Sequence, residues 1–81
     1  MARYIINQDR DAIYPFTGSE YFYTTPINHD GTLMGINLMM GRRMLGTFDS
    51  IGETIQEISR IFNCKDEICA VSGYSSWELA L

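Results

Sequence analysis

Only one stretch of this chain repeats apolar residues with the spacing of an α-helix. The repeat follows the i, i+4, i+7, i+11 pattern of one helix side and consists of Ile51, Ile55, Ile58 and Phe62, with Ile61 beside them. Ser50 and Glu53 fit a capping box, in which both side chains bond backbone donors left unpaired by the first turn. Asn63 favours a helix end. We therefore predict one helix over about 51–62 with this apolar stripe buried.

The rest of the chain has the pattern of short strands separated by turn residues. Five predicted strands precede the helix, at 3–8, 12–16, 20–25, 33–40 and 44–48, and a short one follows at 68–71. Pro15 places the second strand at a sheet edge, because proline has no N–H for the ladder. Pro26 is expected to end the third strand. The segment 28–31 favours a turn because Asn, Asp and Gly tolerate positive φ.

Alternation within the fourth strand separates its two faces. One face is wholly apolar and the other is mixed; the apolar one consists of Met34, Ile36, Leu38 and Met40. With 81 residues, one domain is expected, because a second core could not offset its own ordering entropy. We predict an α+β fold, an antiparallel four- to five-stranded meander over about 3–48 with the helix packed on one face. A short strand and a tail follow over 64–81.

Charge and hydropathy exclude several classes of protein. Six basic against ten acidic residues give a net charge of −4, which argues against direct nucleic-acid binding, since that draws its affinity from phosphate contacts. The longest apolar run, 33–40, is too short for a membrane helix. The N-terminus becomes polar too early for a signal-peptide core. We expect a cytoplasmic protein that does not bind membranes.

Two segments carry a family resemblance, Tyr4-Ile5-Ile6-Asn7-Gln8-Asp9 and Leu45-Gly46-Thr47-Phe48-Asp49-Ser50 running into the helix. Together they resemble a loose group of short uncharacterised proteins of Gram-positive bacteria and their phages. Those proteins open with an IINQD-like strand and close a sheet with an LGxY/F strand before a single helix. The resemblance implies a sheet-plus-helix fold and a prophage or mobile-element origin. It covers about residues 3–63 and carries over no catalytic or ligand residue. This chain departs from the group around Gly41–Arg43 and beyond Cys64.

Few residues are candidates for chemistry. His29 beside Asp30 admits an acid/base role, but no nucleophile accompanies the pair, and a solvated turn is the interpretation we favour. Cys64 and Cys69, even with His29, fall short of the four ligands of a zinc site. A disulfide across so short a loop would stabilise little, so we expect two buried free thiols. We predict no catalytic, cofactor or metal site and therefore no enzyme.

A single helix leaves one sheet face without cover. A helix of this length is roughly 20 Å long and about 10 Å wide, enough for only one face of such a sheet. The other face would carry amphipathic aromatics and methionines, which are enriched at protein interfaces. The predicted partner-binding residues are Tyr14, Tyr21, Tyr23, Met39 and Trp77. The alternative is that the tail folds across the sheet and buries these groups.

These observations predict a small protein-interaction module that self-associates, for example as a homodimer, or binds a host protein. The resemblance adds the setting of a phage or mobile-element accessory protein. The alternative function is an acidic inhibitor or regulator that engages a basic surface of a protein or nucleoprotein. Salt would weaken such an acidic contact strongly.

Overall fold

The computed structural model describes residues 1–73 as six strands and one helix. The strands are β1 (Tyr4–Ile6), β2 (Ile13–Pro15), β3 (Phe22–His29), β4 (Thr32–Met40), β5 (Arg43–Phe48) and β6 (Ile68–Ala70), and the helix α1 is Ile51–Asn63. The predicted strands and helix are all present, and the chain is an α+β protein. Trp77, predicted as a partner-binding residue, lies outside the described residues.

The strands form two sheets rather than one meander. The first sheet has the order β2-β1-β6 and the second the order β3-β4-β5. β1 pairs antiparallel with β2 but parallel with β6, with Tyr4 opposite Ile68. Within residues 1–73 the predicted four- to five-stranded meander is therefore reduced to β3–β4–β5. The first two strands leave it because β1 pairs with the strand that follows the helix and β2 pairs with β1.

Pro26 lies inside β3, opposite Ile36 of β4, so the prediction that it ends the strand is wrong. The Gly41 N–H donates to the Tyr21 carbonyl oxygen over 2.8 Å, which fixes the phase of hydrogen bonding along the pair. In an antiparallel pair, alternate residues bond to the partner strand and those between them point away. Counted from Tyr21, Pro26 is one of those that point away. Its missing N–H therefore removes no bond of the β3–β4 ladder.

The β3–β4 hairpin closes through the turn residues that the sequence indicated. Asp30 and Gly31 have φ angles of 51° and 78° and connect the paired residues His29 and Thr32. A two-residue hairpin turn with two positive φ angles is of type I′, which Asp-Gly adopts readily.

Each strand pair of the second sheet contains a bulge. In β4 the extra residue is Met34, which is 63% exposed, whereas the other members of the predicted apolar face, Ile36, Leu38 and Met40, are buried. In β5 the extra residue is Leu45, between the pairs Leu38–Gly46 and Met39–Met44. Because a bulge turns the strand, Leu45 and the adjacent Gly46 are both buried.

A single core joins the two sheets and the helix. Its buried members are Ala2, Ile5, Phe16, Leu38, Met40, Leu45, Ile61, Cys69 and Val71. The helix begins as predicted, since the Ser50 hydroxyl accepts from the Glu53 N–H over 3.1 Å. The Glu53 carboxylate reaches one residue further back than in a capping box and accepts from the Asp49 N–H over 3.2 Å. The helix ends at Asn63.

The orientation of α1 differs from the prediction. The helix buries Thr54, Glu57 and Ile61, whereas Ile51 is 47% and Ile55 is 58% exposed. The predicted apolar stripe therefore lies along one flank of the helix and is largely in solvent. In this rotation the Glu57 carboxylate faces the segment after β6 and accepts from the Ser72 N–H.

Candidate protein-binding face

The second sheet has one face turned away from the core, here called the outer face. Tyr23 of β3, Met39 of β4 and Met44 of β5 lie directly opposite one another across the three strands. Tyr21 lies two residues before Tyr23, and their ring centroids are 5.4 Å apart. We call these four residues the tyrosine–methionine row. Tyr21 is 72% and Met44 is 47% exposed, so the row presents aromatic and thioether groups to solvent.

The rest of the outer face is polar but uncharged. Thr25, Asn37 and Thr47 lie across the three strands beside the tyrosine–methionine row. The Thr47 hydroxyl donates to the Asn37 side-chain oxygen over 3.0 Å. A Cβ on Gly35 would lie 3.2 Å from the Thr47 methyl group, so this part of the face is closely packed. Among the strand residues assigned to this face, none carries a charge.

The tyrosine–methionine row is rigidly supported from behind. Leu38 and Met40, which alternate with Met39 along β4, are buried in the core. Phe22 packs against the same core and contacts Phe16 and Phe62, with ring centroids 6.1 and 5.4 Å apart. Side chains that stand on a well-packed strand lose little entropy when they bind a partner.

Gln8 closes the β5 edge of this sheet. Its backbone N–H donates to the Leu45 carbonyl oxygen over 2.7 Å. Its side-chain oxygen accepts from the Thr47 N–H over 2.9 Å, and its side-chain nitrogen donates to the Thr47 carbonyl oxygen over 3.0 Å. The same nitrogen donates to the Ser72 carbonyl oxygen over 2.9 Å. The β5 edge is thus occupied, which leaves the outer face and the β3 edge as the open surfaces of the sheet.

The predicted partner-binding residues fall into separate places. Tyr21, Tyr23 and Met39 come together in the tyrosine–methionine row. Tyr14 lies in β2 of the first sheet, packs against the core, and has the Arg43 guanidinium carbon 4.6 Å above its ring centroid. It therefore does not join the row. Trp77 lies outside the described residues.

A cleft of about 560 Å³ lies between α1, the end of β5 and the segment after β6. Its lining includes Asp49, Glu53, Gln56, Glu57, Arg60 and Ser72. The Glu57 carboxylate accepts from the Arg60 guanidinium over 2.6 and 2.8 Å and from the Ser72 N–H over 2.5 Å. Burial alone raises the pKa of Glu57, but these hydrogen bonds outweigh it and hold the pKa below the usual value. The pair is thus engaged in holding β6 to α1, because Arg60 also donates to the Ala70 carbonyl oxygen.

His29 and Asp30 lie at the tip of the β3–β4 hairpin. The His29 Nε2 and an Asp30 carboxylate oxygen are 3.4 Å apart, and the side chains are 78% and 90% exposed. The Asp11 carboxylate is engaged elsewhere, since it accepts from the Asn7 side chain over 2.6 Å. No pocket described in residues 1–73 is lined by His29.

Cys64 and Cys69 are free thiols, the first half-buried and the second buried. Burial, followed by the hydrogen-bonding contact with Cys64, raises the pKa of the Cys69 thiol to about 11. Across residues 1–73, no three His, Cys, Asp or Glu side chains gather in a way that could hold a metal ion.

No helix in this part of the chain has the length and apolarity needed to cross a membrane.

Comparison with known proteins gives no relative from which a role could be transferred. No family model, no curated protein and no solved structure matches the chain.

Two residues that shape this region were not predicted from the sequence. Met44 completes the tyrosine–methionine row, and its place opposite Met39 follows only once the bulge at Leu45 is known. Gln8 joins the two sheets through its side chain. Its position after the first strand gave no sign of this contact, because Thr47 lies far away in the chain.

Proposed function

We propose that this chain is a non-enzymatic interaction module that binds another protein through the outer face of β3–β4–β5. The observation that carries the proposal is the tyrosine–methionine row, which is uncharged, is mounted on a packed sheet, and has two exposed members and two half-buried ones. Tyrosine and methionine are enriched at the centres of protein interfaces, where charged residues are depleted. Methionine also adapts its shape to the surface that it contacts.

The size of the outer face indicates what kind of partner it fits. Three strands of this length present roughly 25 Å by about 15 Å, or on the order of 400 Å² of flat area. A standard interface buries about 800 Å² on each partner. The outer face thus offers about half the area of a standard interface. We therefore propose a partner protein that lays a single apolar, uncharged segment across the row.

The setting we propose is the bacterial cytoplasm, where the module acts as an accessory protein of a phage or mobile element on a host protein. The sequence resemblance supports this setting. The acidic-regulator alternative has weaker support, because the buried carboxylate of Glu57 is already paired with Arg60 and no acidic residue has been assigned to the outer face.

Matched charge substitutions test the proposal. Met44→Glu places one carboxylate in the tyrosine–methionine row. Ile13→Glu places one on β2 of the other sheet, where Ile13 is 58% exposed. Both variants and the wild type are immobilised and used for affinity capture from bacterial lysate. The captured protein is then purified, and the binding is measured by calorimetry.

A partner that binds the wild type and the Ile13→Glu variant, but binds the Met44→Glu variant at least about tenfold more weakly, supports the proposal. Equal binding by all three proteins overturns it. Binding that is independent of Met44 and collapses between low and high salt assigns the function to the acidic surface instead.

A further inference from the structure

We propose that the apolar segment of the partner carries an Asp or Glu side chain at one end, which binds a basic pocket beside Tyr21. The pocket, here called the arginine pocket, has a volume of about 300 Å³, and its lining includes Glu20, Tyr21, Gly41, Arg42 and Arg43. Tyr21 also belongs to the tyrosine–methionine row, so the pocket adjoins the outer face. The inference rests on the proposed function and adds a charge to the partner.

The arginine pocket lies at the end of the second sheet, beside the turn that joins β4 to β5. Gly41 and Arg42 form this turn between the paired residues Met40 and Arg43. The Gly41 N–H donates to the Tyr21 carbonyl oxygen. Because Arg43 lies opposite the buried Met40, its side chain leaves β5 on the side away from the outer face. The two arginines therefore border the tyrosine–methionine row at its Tyr21 end, while the row itself stays uncharged.

The two arginines of this pocket have no anion of their own. Arg42 and Arg43 are exposed and are the one adjacent basic pair in the sequence. Within residues 1–73, neither guanidinium forms an ion pair or donates a hydrogen bond. Arg60, by contrast, is paired with Glu57. A chain with a net charge of −4 thus concentrates two unpaired positive charges at one end of its proposed binding face.

Arg43 is already held in place for a carboxylate. Its guanidinium carbon lies 4.6 Å from the centroid of the Tyr14 ring. A guanidinium that stacks on a ring keeps the N–H donors along its edge available, and arginine binds a carboxylate through two parallel hydrogen bonds. Since the side chain is positioned before the partner arrives, binding at this point costs little further ordering.

Glu20 sets the net charge of the arginine pocket. Its carboxylate accepts from the Thr17 N–H over 3.0 Å and from the Gly18 N–H over 2.9 Å, so its own loop holds it. Two arginines and this carboxylate leave the pocket with one net positive charge. One carboxylate of the partner matches that charge, whereas a phosphate group carries about −1.5 to −2. The pocket therefore favours an acidic side chain over a phosphorylated one.

Selection from a random library of displayed peptides tests the inference, with the immobilised full chain as the target. The wild type should enrich peptides that combine an apolar run with an Asp or Glu beside it. The double variant Arg42→Gln/Arg43→Gln should still enrich the apolar run, but without the acidic residue. Lys65→Gln, which removes an exposed positive charge before β6, is the control and should enrich the same peptides as the wild type.

Calorimetry with one enriched peptide then measures the contact. Replacing the acidic residue of that peptide by Gln should weaken its binding to the wild type about fivefold or more. The same replacement should leave binding to the double variant unchanged, because the coupled partner is already absent. Arg42→Gln alone keeps the contact of Arg43 with Tyr14 and should lose part of the preference, so the test does not depend on the folding of the double variant.

The failures of the two proposals are distinguishable. A wild type that enriches apolar peptides without an acidic residue overturns this inference and leaves the proposed function in place. An acidic preference that the double variant retains also overturns the inference, since another site then causes it. A wild type that enriches no apolar peptide, or enrichment that Met44→Glu does not reduce, overturns the proposed function and this inference with it.

Discussion

The side-chain amide of Gln8 takes the place of a strand beside Thr47. Its oxygen accepts from the Thr47 N–H and its nitrogen donates to the Thr47 carbonyl oxygen, over 2.9 and 3.0 Å. The two sheets are joined at this point, and Ser72 is drawn to the same amide. These hydrogen bonds are exposed, and a typical bond of this kind contributes about 0.5–1.5 kcal/mol to stability.

Replacing this amide should therefore loosen the joint between the sheets. We expect Gln8→Leu to lower the free energy of unfolding by about 0.5–1.5 kcal/mol, since the Thr47 N–H and carbonyl lose the amide and must turn to water instead. Gln56→Leu, on the exposed surface of α1, is the matched control and should change stability by less than about 0.5 kcal/mol. Urea denaturation of both variants checks the prediction. Equal stability of the two variants would contradict the role of Gln8.

Gly46 provides the space in which Gln8 lies. A Cβ at position 46 would approach the Gln8 Cβ to 2.8 Å, closer than real atoms come. We expect Gly46→Ala to destabilise the protein by about 1–3 kcal/mol. Gly52→Ala, in the open first turn of α1, should instead stabilise it by up to about 1 kcal/mol. Thermal unfolding measures both changes in stability. A Gly46→Ala variant as stable as the wild type would show that Gln8 can move to make room for the added Cβ.

Glu57 should make stability fall in acid. Burial raises the pKa of this carboxyl. Hydrogen bonds from Arg60 and the Ser72 N–H lower the pKa by more than burial raises it, so the folded pKa lies below 4.5. A carboxyl with a lowered folded pKa contributes stability that is fully present above its unfolded pKa and is lost as the pH falls through the folded value.

Glu57→Gln should remove this contribution. We expect the variant to be less stable than the wild type at pH 7, because Arg60 loses its charged partner. The difference should shrink as the pH falls from about 5 toward 3. Denaturant unfolding at a series of pH values checks this. A difference that stays constant over that range would show that Glu57 does not titrate with folding.

Pro26 should protect the free edge of β3. Its position points away from β4, and proline at an exposed edge blocks pairing with other strands. We expect Pro26→Val to leave the monomer folded but to produce larger species at high concentration, detected by light scattering. Thr24→Val, which adds apolar surface on the same strand without adding an N–H, should not. Association by both variants would indicate that the apolar valine side chain, and not the new backbone N–H, causes it.

Local patterns predicted the elements of this fold but not their arrangement. Ser50 at the helix start and Asp30-Gly31 at the hairpin turn act through near neighbours, so the sequence was sufficient there. The pairing of Tyr4 with Ile68 depends on contacts between chain ends, which no local pattern records. The split into two sheets was accordingly missed.

The candidate sites show the same division. Periodicity found the apolar band of α1 but not its rotation, which turns Glu57 toward the Ser72 N–H. Alternation placed Tyr23 and Met39 on adjacent strands. It could not place Met44 opposite Met39, because the bulge at Leu45 shifts the register by one residue.

The parallel pairing of β1 with β6 also sets an order of assembly. The meander of β3, β4 and β5 joins neighbours in the chain, so its loops close at small entropic cost. β1 must wait for β6, which is synthesised after the helix and after the three strands of the second sheet. During synthesis the outer face can thus form while the first sheet is still incomplete, and a partner could meet the nascent chain before its ends have met.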